Sequence, residues 1–406
     1  MLARIAIVFA AAHRPLFFAG VLNFALLMIW WTATLFDIYI WPIGMGSGDI
    51  PSSLQHAPVM LFLMVPSFFF GFLLTVFPRW IGYPDLGRSQ YAPIGSAFII
   101  ASILAWIALI GGDHRLLAVA LCVAGLGWLI ALWHMIALLI AERREGKGPT
   151  WHGWSAFAAL CFGLAGLGFS VKFLVTLDAQ AYQIASSLGT FGLLLPVFFT
   201  VAHRMIPFFA GNVVRDYVAW RPYWVLALLW TFLIAHLLLQ FTDQYSLLFI
   251  TASALCVLTA MMLWRWWPRQ PAPGLFMVLI WGFAWAPIGF ALIAVGSFAE
   301  FAGYGLSLGR APLHALYIGM AGSLVIAMVT RVTLGHSGRP LAMNRLTWLA
   351  FWGIQLSAIA RIVAGVRGEH GHWFVLAGVI WILLVTPWTV PQARIYLKKR
   401  ADGKAG

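Results

Sequence analysis

Twelve long apolar runs dominate this sequence of 406 residues. Each reaches or approaches the about 20 residues that a helix needs to cross about 30 Å of hydrocarbon, at about 1.5 Å per residue. The runs cover approximately 15–36, 54–78, 92–111, 116–141, 153–176, 181–203, 221–240, 246–264, 275–300, 312–334, 345–366 and 373–396. Their connections are short. We therefore predict an all-α fold, a polytopic membrane bundle of about twelve transmembrane helices that forms a single domain over residues 1–406.

The composition agrees with a chain that is dissolved in a lipid bilayer. Hydrophobic residues make up 62% of the sequence and charged residues 9%, whereas a soluble domain carries about 25% charged residues. The formal net charge of +13 would indicate a nucleic-acid partner in a soluble chain, so its distribution over the two faces of the bundle has to be considered first.

The basic residues are concentrated on one side of the predicted bundle. Arg115, Arg310 and Arg367 lie on one side, Lys172 and Arg361 fall within helices, and the rest of the 25 Lys and Arg lie on the side of both termini. The positive-inside rule predicts that both termini are cytoplasmic. The basic charge then reflects topology and attraction to anionic lipid, and no nucleic acid is needed to explain it. We call the side of the termini the terminal face and the opposite side the distal face.

Eleven histidines are unusual in a bilayer, where an unpaired imidazole is costly. On the distal face, His56 begins the second helix and His314 begins the tenth. On the terminal face, His13 and His203 each precede an Arg and a Phe-Phe-Ala-Gly run, and His336 lies in the stretch TRVTLGHSGRPL.

The two groups of histidines lie at different depths. The 22 steps from His56 to Pro78 correspond to about 33 Å of helix, so no single metal ion can bind both groups. We interpret the other histidines as solvated or interfacial; they are His114, His134, His152, His236, His370 and His372.

The distal pair suits a metal ion. Each His stands near the start of its helix, where the helix dipole disfavours imidazolium, and a metal requires neutral imidazole. Met60 and Met64 follow His56 at i+4 and i+8, and imidazole with thioether suits copper, particularly Cu(I). We predict a metal site of His56, His314 and Met60. Packing of methionines in a membrane helix remains the alternative.

On the terminal face, arginines accompany every histidine of the group. Arginine pairs with carboxylates through two parallel hydrogen bonds, and haem carries two propionates beside an iron that takes axial His. A haem site therefore fits this group, although ordinary positive-inside residues would give the same charges. The predicted cofactor-binding residues are His13, His203, His336, Arg14, Arg204, Arg331 and Arg339.

Four segments resemble the NnrS family: HALYIGMAGSLVIAMVTRVTLGHSGRPL (314–341), HRMIPFFAG (203–211), HRPLFFAG (13–20) and GFLLTVFPRWIG (71–82). The resemblance implies a polytopic protein of the bacterial inner membrane that binds haem and copper and takes part in nitric oxide metabolism and resistance to nitrosative stress. Carried over by position, it implicates His13, His56, His203, His314 and His336.

One motif departs from the family pattern. Many members begin the second helix with a run like His-Ala-His-Glu-Met, whereas this chain has HAPVM. His56 and Met60 match, but Pro58 and Val59 replace the second His and the Glu. Copper is therefore less certain than haem.

We expect a haem b membrane protein that binds nitric oxide or turns it over by redox chemistry. An iron with an open position would react with the ligand, and one with two His ligands would relay electrons from a separate electron donor. A haem–copper oxidase subunit is excluded because its His-His dipeptide and His-Pro-Glu-Val-Tyr-like segment do not occur. A cofactor-free secondary transporter of twelve helices remains the alternative.

Overall fold

The computed structural model describes residues 6–45, 48–146, 148, 150–366 and 371–403. Within these residues, twelve helices are long and apolar enough to cross a membrane, and no residue is in a strand. They are α1 His13–Tyr39, α2 Ser52–Trp80, α3 Arg88–Gly111, α4 His114–Glu145, α5 Trp151–Thr176, α6 Ala179–Val213, α7 Tyr223–Phe241, α8 Tyr245–Trp266, α9 Gly274–Phe301, α10 Ala311–His336, α11 Arg345–Val366 and α12 Gly371–Tyr396. The predicted multi-pass, all-α fold is confirmed.

The two ends of the chain meet at the same end of the bundle. The guanidinium of Arg14, at the start of α1, donates to the carbonyl of Lys398 at 2.9 Å. Beyond α12, the backbone N–H of Ala401 donates to the carbonyl of Ser337, just after α10, at 2.9 Å. This end is the terminal face. Which side of a membrane it occupies stays a prediction, and Arg4, Lys147, Arg367, His370 and Lys404 lie outside the described residues.

Four helices form the centre of the bundle. Buried residues make up 89% of the most apolar window of α2, 83% in α6, 72% in α10 and 67% in α1, against 33% to 56% in the other eight helices. A helix that is apolar all round and buried all round belongs in the middle of a bundle. The outer helices turn side chains such as Ile110 and Trp133 to the surroundings, as lipid-facing helices do. The predicted site histidines are all on the central helices.

Glycines let α1 and α2 approach closely. A Cβ at Gly20 would meet the ring of Phe68, and one at Gly71 would meet the ring of Phe17. Small residues at a crossing let membrane helices pack backbone to side chain, since lipid supplies no hydrophobic force between helices. This crossing holds the second and third turns of α1 against the middle of α2.

Four helices contain a widened, π-helical turn. These turns are Met60–Met64 in α2, Leu188–Leu194 in α6, Ala315–Gly322 in α10 and Trp381–Val385 in α12. Three of the four central helices therefore carry one. Such turns insert an extra residue into the helix, and they occur frequently at functional sites.

Proline explains three of the widened turns. A proline ring clashes with the carbonyl four residues earlier and cannot donate a hydrogen bond to it. In α2 the residue four before Pro66 is Phe62, inside the widened turn, and the N–H of Val65 bonds instead to the carbonyl of Met60, five residues back. Pro196 and Pro387 follow their turns in the same way. The turn in α10 has no proline behind it and starts directly after His314.

Candidate functional site

His13 and His336 come together at the terminal face, as the prediction for this face requires. Their ring centroids are 4.8 Å apart. His13 is 3% exposed, and its Nδ1 is buried with no hydrogen-bond partner among the described residues. The buried phenol of Tyr396, which is hydrogen-bonded to the hydroxyl of Thr333, lies beside the pair, 6.5 Å from the His13 ring centroid. A buried, unpartnered imidazole nitrogen is an arrangement that a bound ligand would satisfy.

His203, the third predicted histidine of this face, pairs with a different residue. Its Nδ1 lies 2.9 Å from Nε2 of His152, at the start of α5. His152 is 2% exposed, so the interpretation of this residue as solvated is wrong: the first turn of α5 packs against α6 and removes the ring from solvent. His236 is buried too, against Phe191 and the hydroxyl of Thr251. The His152–His203 pair is not predictable from the sequence, because no local pattern links positions 51 residues apart.

A backbone carbonyl determines the tautomers of this second pair. Nε2 of His203 lies 3.1 Å from the carbonyl oxygen of Pro222, and a carbonyl only accepts, so Nε2 carries the proton. In the neutral ring, Nδ1 of His203 then accepts from Nε2–H of His152. This leaves the free lone pair on Nδ1 of His152, which is buried and without a partner among the described residues. The nitrogen open to a ligand therefore belongs to His152, and His203 orients it.

Two of the predicted propionate-binding arginines donate to backbone carbonyls. The Nη1 of Arg14 lies 3.2 Å from the carbonyl of Ile7 and 2.9 Å from that of Lys398. The Nη1 of Arg339 lies 3.4 Å from the carbonyl of Ser337. The Arg14 contacts tie the two ends of the chain to each other, and the Arg339 contact is local to the turn after α10.

The other two arginines lie over aromatic rings. The guanidinium of Arg204 is 4.9 Å from the ring centroid of Trp80, and that of Arg331 is 3.9 Å from the ring centroid of Phe209. Cation–π contacts of this kind stabilise a guanidinium that has lost part of its water. The role of these arginines in binding propionates stays a prediction.

An ion pair lies next to the His13–His336 pair. The guanidinium of Arg79 makes two hydrogen bonds to Asp85, of 2.7 and 2.6 Å, and these hold the pKa of the Asp85 carboxyl below its usual value. Arg79 is within electrostatic range of both histidines. The terminal face thus combines cations with at least one carboxylate in the loop after α2.

The distal histidines also lie near each other. His56 stacks on Trp31, with ring centroids 4.1 Å apart, and it is within electrostatic range of His314. Nδ1 of His56 is buried without a partner among the described residues. Nδ1 of His314 lies 2.8 Å from the carbonyl of Arg310, so it carries the proton and leaves the lone pair on Nε2. At metal sites, an acceptor such as this carbonyl usually bonds the N–H of the ligating imidazole and so orients the ring.

A bare metal ion has few ligands in this structure. Among the described residues, no three His, Cys, Asp or Glu side chains come together as a metal-binding group. Met60 is buried one turn after His56, so the distal donor set is two imidazoles and a thioether. Pro58 and Val59 are buried as well, which suits their apolar character. Haem iron needs only one or two axial ligands, so the paired histidines fit haem better than an isolated ion.

An apolar cavity of about 50 Å³ lies between the terminal and distal groups. Residues of α1, α2, α6, α9 and α10 line it. One of them is Phe17, whose ring centroid lies 5.9 Å from that of His13. Other walls are Phe68, Phe198, Met205, Leu279 and Val325. Cavities with such a lining stay dry and take up small apolar molecules.

A comparison with protein families agrees with these features. The family model described as "NnrS protein" matches residues 7–400. The chain belongs to the NnrS family. The resemblance noted in four sequence segments is thereby confirmed, and all five histidines that it implicates lie inside the matched region of this NnrS protein. No curated protein matches the chain.

Proposed function

We propose that this NnrS protein is a haem b protein of the bacterial inner membrane that acts in nitric oxide metabolism or in the defence against nitrosative stress. The observation that carries the proposal is that four histidines, His13, His56, His152 and His236, each have a buried ring nitrogen without a hydrogen-bond partner among the described residues, in a chain of this family. Buried imidazoles without partners are costly in a membrane protein. A bound metal complex would offset that cost.

The histidines would supply the axial ligand, and the haem would supply the redox chemistry. His13 and His336 are the candidates at the terminal face, and His314, through Nε2, is the candidate at the distal face. Copper is the less certain second cofactor, because Pro58 and Val59 stand in the motif and no group of three ligands forms among the described residues. Redox turnover would also require an electron donor as a partner.

Nitric oxide is a small apolar gas that enters lipid, so the bilayer is its natural source. The cavity of about 50 Å³ offers an apolar space of suitable size, one turn from His13. Its lining residues are all apolar, which favours binding of an uncharged diatomic molecule over an ion. This supports nitric oxide as the ligand class.

An optical spectrum of the purified protein tests the proposal directly. We expect a Soret band that shifts on reduction and shifts again when nitric oxide is added, and about one haem b per chain or more in the pyridine haemochrome assay. The protein should be produced in cells that receive excess haem precursor, so that haem synthesis does not limit the haem content of the purified protein. Purified protein without a Soret band would overturn the proposal and favour the cofactor-free transporter.

Single substitutions assign the site. His13→Ala and His336→Ala test the terminal pair, while His56→Ala and His314→Ala test the distal pair; both members of the pair that binds haem should lose the Soret band. His372→Ala, at an exposed position at the start of α12, is the control and should keep it. If His56→Ala and His314→Ala lose different cofactors, by haemochrome assay and elemental analysis, the distal pair is not one site. If all four variants retain the spectrum of the unmodified protein, histidine ligation by these pairs is wrong.

A further inference from the structure

Two arginines accompany the distal histidines, in addition to the residues that the sequence predicted there. Arg310 directly precedes α10, and Arg361 lies in α11 one turn before Gly365, which packs against Ala311 at the start of α10; both arginines act electrostatically on His56 and His314. Helices α10 and α11 pack together at this level through the turn Ala311–His314. The distal cluster therefore contains two permanent positive charges and two imidazoles.

Arg361 is incompletely satisfied. Its guanidinium lies 4.3 Å from the ring centroid of Phe374 on α12, yet its Nη1 is buried with no hydrogen-bond partner among the described residues. An unpartnered guanidinium N–H inside a membrane protein costs free energy, since neither water nor an anion compensates it. Arg310, by contrast, is exposed at the rim. A ligand that bonds both arginines would extend from the rim of the cluster into its interior.

The charge of the cluster discriminates between cofactors. A bare copper ion would add positive charge beside two guanidinium groups, with no described carboxylate shown to contact either of them. Ferrous haem has a neutral iron–porphyrin centre and two negatively charged propionates, so its charge cancels that of the two arginines. Desolvated like charges repel strongly in a medium of low dielectric constant. The electrostatics thus favour a metal complex that carries carboxylates.

The remaining groups suit the same ligand. The lone pair of His314 is on Nε2, the ring nitrogen remote from the side-chain attachment, and so the one with space for a flat macrocycle. Trp31, stacked on His56, contributes an aromatic wall. Resting on the proposed function, we propose that the distal cluster binds haem, with Nε2 of His314 facing the iron and with Arg361 and Arg310 pairing with the propionates, in place of the bare copper ion that the sequence predicted there.

The terminal arginines differ in this respect. Arg14 and Arg339 already donate to carbonyls, and Arg204 and Arg331 lie over rings. Arg361 is the arginine whose donor atom is buried and unpartnered in the part of the chain that the structure describes. This contrast places the propionates at the distal rather than the terminal face.

Reconstitution with two porphyrins tests the pairing. Full-length protein is purified without haem from haem-deficient cells and titrated with haem b or with its dimethyl ester, which keeps the iron and loses both carboxylates. Quenching of tryptophan fluorescence and growth of the Soret band report binding. We expect the unmodified protein to prefer haem by about tenfold to a hundredfold, the range for charge-assisted hydrogen bonds. Arg361→Gln should lose most of this preference by weakening only haem, and Arg361→Lys should restore part of it, because an ammonium cannot make the two parallel bonds.

The controls separate the possible failures. Arg310→Gln, at an exposed position, tests the same preference without risk to the fold, and Arg115→Gln, an exposed arginine of the distal end of α4, should leave it unchanged. Glu369→Gln, outside the described residues, should also retain the preference; its loss would show that Arg361 pairs with that carboxylate and would overturn the proposal. Equal binding of both porphyrins by the unmodified protein, or an undiminished preference in both arginine variants, would overturn the propionate pairing and leave haem binding intact. Binding of neither porphyrin would overturn the proposed function itself.

Discussion

Single hydrogen bonds determine what the buried histidines of this protein offer to a ligand. A carbonyl oxygen accepts from Nε2 of His203 and another accepts from Nδ1 of His314, and each contact decides which nitrogen keeps its lone pair. His203 therefore has both nitrogens engaged, whereas His152 and His314 each keep one nitrogen free. The number of free nitrogens therefore depends on the hydrogen-bond partners that each ring meets and not on the residue type.

At the residue scale we predict energetic coupling between His152 and His203. Each single substitution to Ala should destabilise the protein by about 1–3 kcal/mol, since it leaves a buried partner unsatisfied. The double variant should lose less than the sum, with a coupling free energy of about 0.5–3 kcal/mol. Equilibrium unfolding in detergent measures all four states of the cycle. As a control, His152→Ala combined with the distant His236→Ala should be additive. Additivity of His152→Ala with His203→Ala would show that the two rings do not exchange a hydrogen bond.

At the scale of the element, the widened turns decide which way the distal residues face. A π-helical turn holds one residue more than the α-helical turn it replaces, so it rotates everything on its distal side relative to the rest of the helix. In α2 the turn Met60–Met64 separates His56 from Gly71, where the helix crosses α1 closely. In α10 the turn Ala315–Gly322 separates His314 from His336. The histidine positions thus depend on turns that hydrophobic periodicity does not reveal.

Pro66→Ala should displace the distal site by releasing the widened turn of α2. Alanine at this position can donate a hydrogen bond to the carbonyl of Phe62, so the turn can become α-helical with the same number of residues, which rotates His56 by about 100° relative to the helix beyond the turn. We expect the stacking of His56 on Trp31 to be lost, haem content to fall severalfold, and the unfolding temperature to drop by several degrees. Pro387→Ala, behind the widened turn of α12, is the matched control and should leave haem content unchanged. Unaltered haem content after Pro66→Ala would mean that the turn does not position the site.

At the scale of the whole molecule, the bundle places its charges and chain ends asymmetrically. Both ends of the described chain meet at the terminal face, where Arg14 bonds the backbone of Lys398. The same face holds most of the basic residues. In a membrane, this asymmetry sets the orientation. The distal cluster would then face the periplasmic side and the His13–His336 pair the cytoplasmic side.

Reporter fusions test this orientation. Because the positive-inside rule places the basic face in the cytoplasm, fusions after Gly406 and after Arg144, in the last turn of α4, should both report the cytoplasm. A fusion near Asp49, between α1 and α2, should report the periplasm, and it serves as the control for which the opposite side is expected. A periplasmic C-terminus would contradict both the predicted orientation and the assignment of the two histidine levels to the two sides.

Hydropathy and length alone determined the twelve spans, their order and the two depths at which the histidines lie. These properties follow from local composition, because each run of about 20 apolar residues must cross the bilayer by itself. The sequence also shows the positive charges of Arg310 and Arg361, but it does not show which residues lie next to them in the fold. Tertiary structure decided that His203 pairs with His152, that His13 meets His336, and that Arg361 lies near the distal pair with its Nη1 buried. Those contacts depend on how far each helix is rotated about its axis. Widened turns and close glycine crossings set that rotation, and both act only when the helices pack together.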